Sequence, residues 1–284
     1  MADGAEGAGA EGVVMKIEAL IVPGIFLGFA VVEMLRSNFF RKPNQTRADA
    51  LVEVIGSVTL LTLTQPAILL MAYTLMAFAF PASNGAWGGL PILAQVALLL
   101  VFDDMMQYWW HRASHSFPWL YNLHRAHHSG AYMSVRIVYR NNFFYYLTMP
   151  SLWFSGALIY LGLGAVYIPY VCVKMLVIIA AHSDVPWDRP LYRIKGLSPV
   201  MWVVERTIST PATHSAHHGK YASDGITNYK GNFGNLLFFW DVLFGTAKIT
   251  RRYPSEIGVE NLPSVTAAEQ LAWPLFRSSA TRLS

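Results

Sequence analysis

A single cysteine, Cys172, serves the whole chain of 284 residues. An intrachain disulfide is therefore excluded, and no thiolate-held zinc or iron–sulfur centre can be built. Charge is equally scarce: Asp, Glu, Lys and Arg make up 13% of the residues against 54% apolar types. With a mean hydropathy of +0.35, that balance excludes an ordinary water-soluble domain. The N-terminus, MADGAEGAGAEG, lacks the basic start and short apolar stretch of a cleavable leader. Residues 1–15 are expected to form a disordered acidic tail ahead of one membrane-embedded domain over 16–284. The net charge of +4 is spread along connecting segments rather than gathered on one module, which argues against nucleic acid as a partner.

Long apolar runs are what the chain does have. A bilayer crossing needs about 20 such residues, and spans are expected at 17–35, 52–80, 90–110, 143–161 and 163–182. The count is five, or four if the last region dips in and out. Pro66 should kink or tilt the second span, and Gly162 with Gly164 should break the last region into a tight hairpin. Arg36, Arg41, Lys42 and Arg47 follow the first span, whereas residues 81–90 carry no charge, so the first loop is cytoplasmic. Threading onward puts 111–142 and 183–284 on the same side as a helical cap. Within it, WDRPLYRIKGLSPVMWVVERT and NYKGNFGNLLFFWDVLFGT mix aromatic and basic residues as helices lying on a membrane surface do. The fold class is thus an all-α integral membrane protein with four or five transmembrane helices and a cytoplasmic cap. Lys174 is discordant, falling in mid-span, where a charge faces a polar interior or snorkels. RSSATRLS at the C-terminus carries no KDEL-type retrieval signal, which favours a bacterial inner membrane over the endoplasmic reticulum.

Nine histidines complete the inventory. Eight fall in three blocks, HRASH (His111, His115), HRAHH (His124, His127, His128) and HSAHH (His214, His217, His218), with His182 alone. Spacings of three and four place side chains on one helical face, and threading puts every block at the cytoplasmic ends of the spans. So many neutral imidazoles exceed the needs of one zinc site and suit two metal ions, whose identity imidazole alone does not choose. Asp104, Tyr108, His111 and His115 form a polar stripe on an otherwise apolar span. Asp104, with Tyr108 beside it, is the candidate to accept the outer N–H of a ligating imidazole; Asp103, Asp184 and Asp241 are further carboxylates for that role. Arg136 and Arg140, among aromatic residues, read as a membrane-facing surface, and Arg112 and Arg125 as anchors to phosphates. The rival reading is a His-rich divalent-metal transporter, which calls for ionisable groups along a path through the bilayer; here the ligands gather at one end.

The order HRASH, HRAHH, lone His, HSAHH, closed by WDVLFGT, resembles the fatty acid hydroxylase/sterol desaturase superfamily of membrane di-iron oxygenases over about residues 95–250. The resemblance implies two irons bound almost wholly by histidine, using O2 to hydroxylate or desaturate an unactivated C–H bond of a lipid, whether sterol, fatty acyl, isoprenoid or ether lipid. By motif position His111, His115, His124, His127, His128, His214, His217 and His218 would be ligands, with His182 as the ninth. Zinc could occupy the same ligands in purified protein but could not perform the redox chemistry. No reductase motif is present, so electrons would come from a separate donor, a ferredoxin or a cytochrome b5 with its reductase.

Overall fold

Proline and glycine punctuate long apolar helices in the computed structural model, which describes residues 21–37 and 39–277. The expected N-terminal tail lies outside those residues. Helix α1 covers 21–36, the described part of the first expected span. Its Glu33 is buried and accepts from Val135 N–H, Ser134 Oγ and Asp184 N–H, so a lone carboxylate ties α1 to the histidine-bearing half of the chain.

Helix α2, Arg47–Ala79, opens on a capping box in which Thr46 and Asp49 satisfy each other's backbone N–H. Pro66 follows a widened π turn at Leu60–Thr64; the extra room accommodates a residue that lacks an N–H and crowds the preceding turn. At 33 residues α2 is roughly 50 Å long, more than the hydrocarbon core needs. Its first turns use the surplus: Asp49 pairs with Arg140 at 2.5 Å and Glu53 with Arg136 at 3.0 Å. Arg140 is fully buried and also reaches Ala126 O, Ser129 and Gln270. Arg136 and Arg140 therefore tie the segment 136–140 to α2 instead of forming the membrane-facing surface expected of them.

Helix α3, Ile92–Ser116, continues unbroken through HRASH with a π turn at Leu100–Met105. Phe117 is extended, as a residue before proline tends to be, and Pro118 starts α4, Pro118–His128. The helix expected from 143 is split. Residues Phe143–Leu147 make a short turn of their own, Met149 is extended ahead of Pro150, and α5 begins there.

Helical stretch α5, Pro150–His182, reverses at Gly162, whose φ of 108° is open only to glycine. The reversal packs against the α2–α3 connection, with Gly85 N–H on Tyr160 O and Trp87 N–H on Leu161 O. A side chain at Gly162 would meet Gly88 N at 2.7 Å. On the first arm a Cβ at Gly156 would lie 2.6 Å from Leu69 O, so that arm and α2 touch backbone to backbone. α2, α3 and α5 are the described stretches long and apolar enough to cross a membrane, and no strand is present among the described residues. Beyond α5 the chain is short helices, including Ser198–Thr207 and α6, Pro211–His217. Ser198–Thr207 leaves Val200, Trp202 and Val203 exposed while Glu205, buried, is gripped by Arg251.

Candidate metal centre

Four elements deliver the nine imidazoles to one place. α3 ends in His111 and His115, α4 in His124, His127 and His128, the second arm of α5 in His182, and α6 with its cap in His214, His217 and His218. α6 is aimed by Thr210, which caps its first turn, and by buried Asp188, which accepts Ala212 N–H at 2.9 Å.

The rings divide into two groups, each with ligand nitrogens within 4.8 Å of one another: His111, His115, His124, His128 and His217, and His127, His182, His214 and His218. Each three-histidine motif is shared between them. HRAHH sends its i, i+4 pair to the first group and His127 to the second, while HSAHH sends its i, i+4 pair to the second and His217 to the first. The groups abut where His128 and His218 stack, their centroids 4.3 Å apart.

Hydrogen bonds set the tautomers. His111 Nδ1 faces Phe233 O at 2.8 Å, His127 faces Ile137 O at 3.0 Å, His182 faces Ile178 O at 2.7 Å and His217 faces Gly231 O at 2.8 Å. His124 Nδ1 faces Asn141 Oδ1 at 2.9 Å, and that amide's nitrogen is given to Tyr146 OH. An acceptor opposite Nδ1 puts the proton there and leaves Nε2 as a bare lone pair. Yet His111 and His217 bring those Nε2 atoms to 2.9 Å, and His127 and His182 bring theirs to 3.3 Å. Two facing lone pairs repel unless a proton or a metal cation lies between them. Protonation is opposed by burial and by the neighbouring rings, which hold His127 and His218 well below the ordinary imidazole range; burial does the same for His217. The donor set therefore fits metal cations, one per group.

Asp104 does not receive an imidazole N–H. Its carboxylate accepts from Leu236 N–H, Leu237 N–H and the Trp240 indole at 3.2, 3.1 and 2.8 Å. Tyr108 OH meets Thr246 Oγ1 at 2.9 Å. The polar stripe of α3 is real, but it docks the segment 233–246, whose first residue, Phe233, offers the carbonyl that orients His111. Asp103 serves Lys174 and Tyr170, and Asp184 serves Lys42. Arg112 donates to Tyr108 and Arg125 pairs with Glu269 at 2.5 Å, so their partners too are internal.

Asp241 was among the further carboxylates, and its part is one step removed. It is fully buried, a setting that raises its pKa, and accepts Phe233 N–H at 2.8 Å, Gly234 N–H at 2.6 Å and Thr246 Oγ1 at 2.5 Å. That bracing fixes the turn whose Gly231 and Phe233 carbonyls set His217 and His111. Asp241→Ala strands two buried N–H groups at about 1–3 kcal/mol each. Metal affinity should fall about 10- to 100-fold, the usual cost of losing a ligand's support, as read by chelator competition. Asp241→Asn, which keeps one acceptor, should recover part of it.

A cavity among α2, α3 and α5 opens on His111, His124, His127 and His182, with Leu60, Val171, Met175 and Ile178 among its walls. On the opposite side a second cavity reaches His115 and His128 between Lys220, Tyr229, Lys230 and Glu260.

The sequence model of the fatty acid hydroxylase family matches residues 96–246, a stretch holding all nine histidines. Alkylglycerol monooxygenase of Danio rerio is 29% identical over 145 residues, 50% of this chain and 28% of that protein. The Homo sapiens protein of the same name is 26% identical over 143 residues, again 50% and 28%. Ornithine lipid hydroxylase OlsE of Rhizobium tropici is 30% identical over 192 residues, 66% of this chain and 52% of its own length. The alignments thus span about a quarter to a half of these relatives, and no solved structure matches significantly. Since the family match covers more than half of the chain and includes every residue of the paired histidine centre, this protein belongs to the fatty acid hydroxylase family.

Proposed function

We propose that the protein is a membrane di-iron monooxygenase that hydroxylates an unactivated C–H bond of a lipid, using O2 and two electrons from a separate protein. The observation that carries this reading is the facing of Nε2 lone pairs in two adjoining groups beside an apolar cavity. Hydroxylation is preferred over desaturation because the relatives are named as a monooxygenase and a hydroxylase.

When bound, the two irons supply O2 activation and the oxidising power that an aliphatic C–H bond demands. The protein's own share is positioning. His111, His115, His124, His128 and His217 hold one ion; His127, His182, His214 and His218 hold the other. Phe233, Gly231, Ile137 and Ile178 carbonyls and Asn141 keep the rings oriented, and the apolar walls hold a lipid chain dry beside them. The histidine side is proposed as cytoplasmic, with α1, α2, α3 and the α5 hairpin in the bilayer and Ser198–Thr207 lying along its surface through Val200, Trp202 and Val203. Lys220 and Lys230, around the second cavity, suit an acidic electron donor such as a ferredoxin or cytochrome b5.

The test is lipid profiling under 18O2 in cells with and without the protein, together with metal analysis of the purified chain. Expected are a lipid that gains one labelled oxygen and about two iron atoms per chain. Absence of any O2-dependent lipid product from an iron-loaded preparation overturns the proposal.

A further inference from the structure

Eight residues before His111 on α3, and eight before His182 on α5, stands a buried charge pair. Lys174 Nζ lies 2.5 Å from Asp103 Oδ2, which also accepts from Tyr170 OH at 2.7 Å. At 1.5 Å per residue the pair sits roughly 12 Å along both helix axes from the ligand layer. Asp103 and Lys174 line the same cavity as His111, His124, His127 and His182. Ser151, on the first arm of α5, lines it too; it is 1% exposed and its hydroxyl has no hydrogen-bond partner.

A cavity made only to hold an alkyl chain needs none of this. A buried hydroxyl without a partner is unfavourable, and buried ion pairs are often matched or bettered by apolar residues of the same size. The two charges cancel, so a further unpaired charge brought into the niche would stay uncompensated. An uncharged hydrogen-bonding group would satisfy Ser151 without that cost.

We propose that Asp103, Lys174 and Ser151 bind an uncharged oxygen function of the substrate, an alcohol, ketone or ester, and so set which carbon of its chain lies at the metal centre. An extended chain advances about 3.5 Å for every three bonds, so roughly 12 Å places the selected carbon about ten bonds from that oxygen. Speaking of a selected carbon rests on the oxygenase reading; the binding itself does not.

The probes are 1-dodecanol and n-dodecane, retained at equilibrium by the full chain, metal-loaded and in nanodiscs, with empty discs subtracted. Dodecanol should be held about tenfold more tightly, the worth of one or two net hydrogen bonds. Ser151→Ala should bring the ratio most of the way to one, and so should the triple change Asp103→Leu, Tyr170→Phe, Lys174→Met, both with unaltered metal content. The triple change replaces the network with apolar groups of similar size, the kind of replacement a buried pair tolerates; if it fails to fold, Ser151→Ala decides alone. Equal retention of the two probes by the native chain, or a preference that survives Ser151→Ala, overturns the proposal. A missing O2-dependent product would instead sink the oxygenase reading and leave the dodecanol preference intact.

Discussion

His127→Ala lowers bound metal from about two atoms per chain to about one and removes turnover, whereas His115→Ala keeps a measurable fraction of both. The difference follows from the unequal groups. His127 belongs to the set of four with His182, His214 and His218, and its loss leaves three ligands; His115 belongs to the set of five, and its loss leaves four. If closed four-ligand sites bind with about 10–16 kcal/mol, one imidazole accounts for about 2.5–4 kcal/mol, or a factor of about a hundred to a thousand in affinity. His127 is also held by Ile137 O and faces His182 Nε2 at 3.3 Å, so its removal unpairs a second ring. His115 is half-buried beside the second cavity, near Lys220 and Lys230, where water can take its place. Metal analysis and O2-dependent product formation on the two variants check the contrast, and equal losses would refute the five-to-four division.

That division was not legible in the sequence, although the histidines were. HRAHH and HSAHH announce ligands by spacing alone, because i, i+3 and i, i+4 positions share a helical face. The spacing does not tell which ring turns toward which ion. That depends on how α4 and α6 cross, and it emerges only when His128 and His218 are seen stacked at the junction. At Pro66 the expected kink or tilt gave no hint of the π turn that accommodates the proline, whereas the hairpin at Gly162 was readable because glycine acts locally on the backbone. Ring orientation was hidden for the opposite reason: any residue supplies a carbonyl, so nothing marks Gly231, Phe233, Ile137 or Ile178 as acceptors. Asn141 carries no signal either, being one polar residue among several in a loop. Charged residues keep their partners hidden where those partners are far away in sequence, which left Arg140 misread as surface and Lys174 without an assigned counter-ion. Arg140 finds Asp49 across 91 positions and Lys174 finds Asp103 across 71, so what looks like a surface arginine or a stranded lysine is internal.

Stripped of metal by a chelator, the protein should lose stability steeply on acidification, starting near pH 6.5. Outside the membrane-spanning helices, His124, His127, His128, His214, His217 and His218 are all buried, and desolvation, reinforced by the neighbouring rings, holds each well below the ordinary imidazole value. The unfolded chain titrates near 6.5 and so takes up protons that the folded chain refuses. Stability is then fully present above that pH and falls below it, down to the depressed folded values. Each ring that stays neutral while its unfolded counterpart charges removes about 1.4 kcal/mol per pH unit. Three such rings would take about 4 kcal/mol by about pH 5.5 relative to the neutral plateau, a large share of a typical 5–15 kcal/mol. Bound metal opposes this by occupying the Nε2 lone pairs, so the loaded protein should hold its melting temperature to a lower pH than the chelated one, until protons displace the ions. Melting curves of both forms in nanodiscs between pH 8 and 5 decide it: coincident curves would mean that these imidazoles neither bind metal nor remain neutral in the fold.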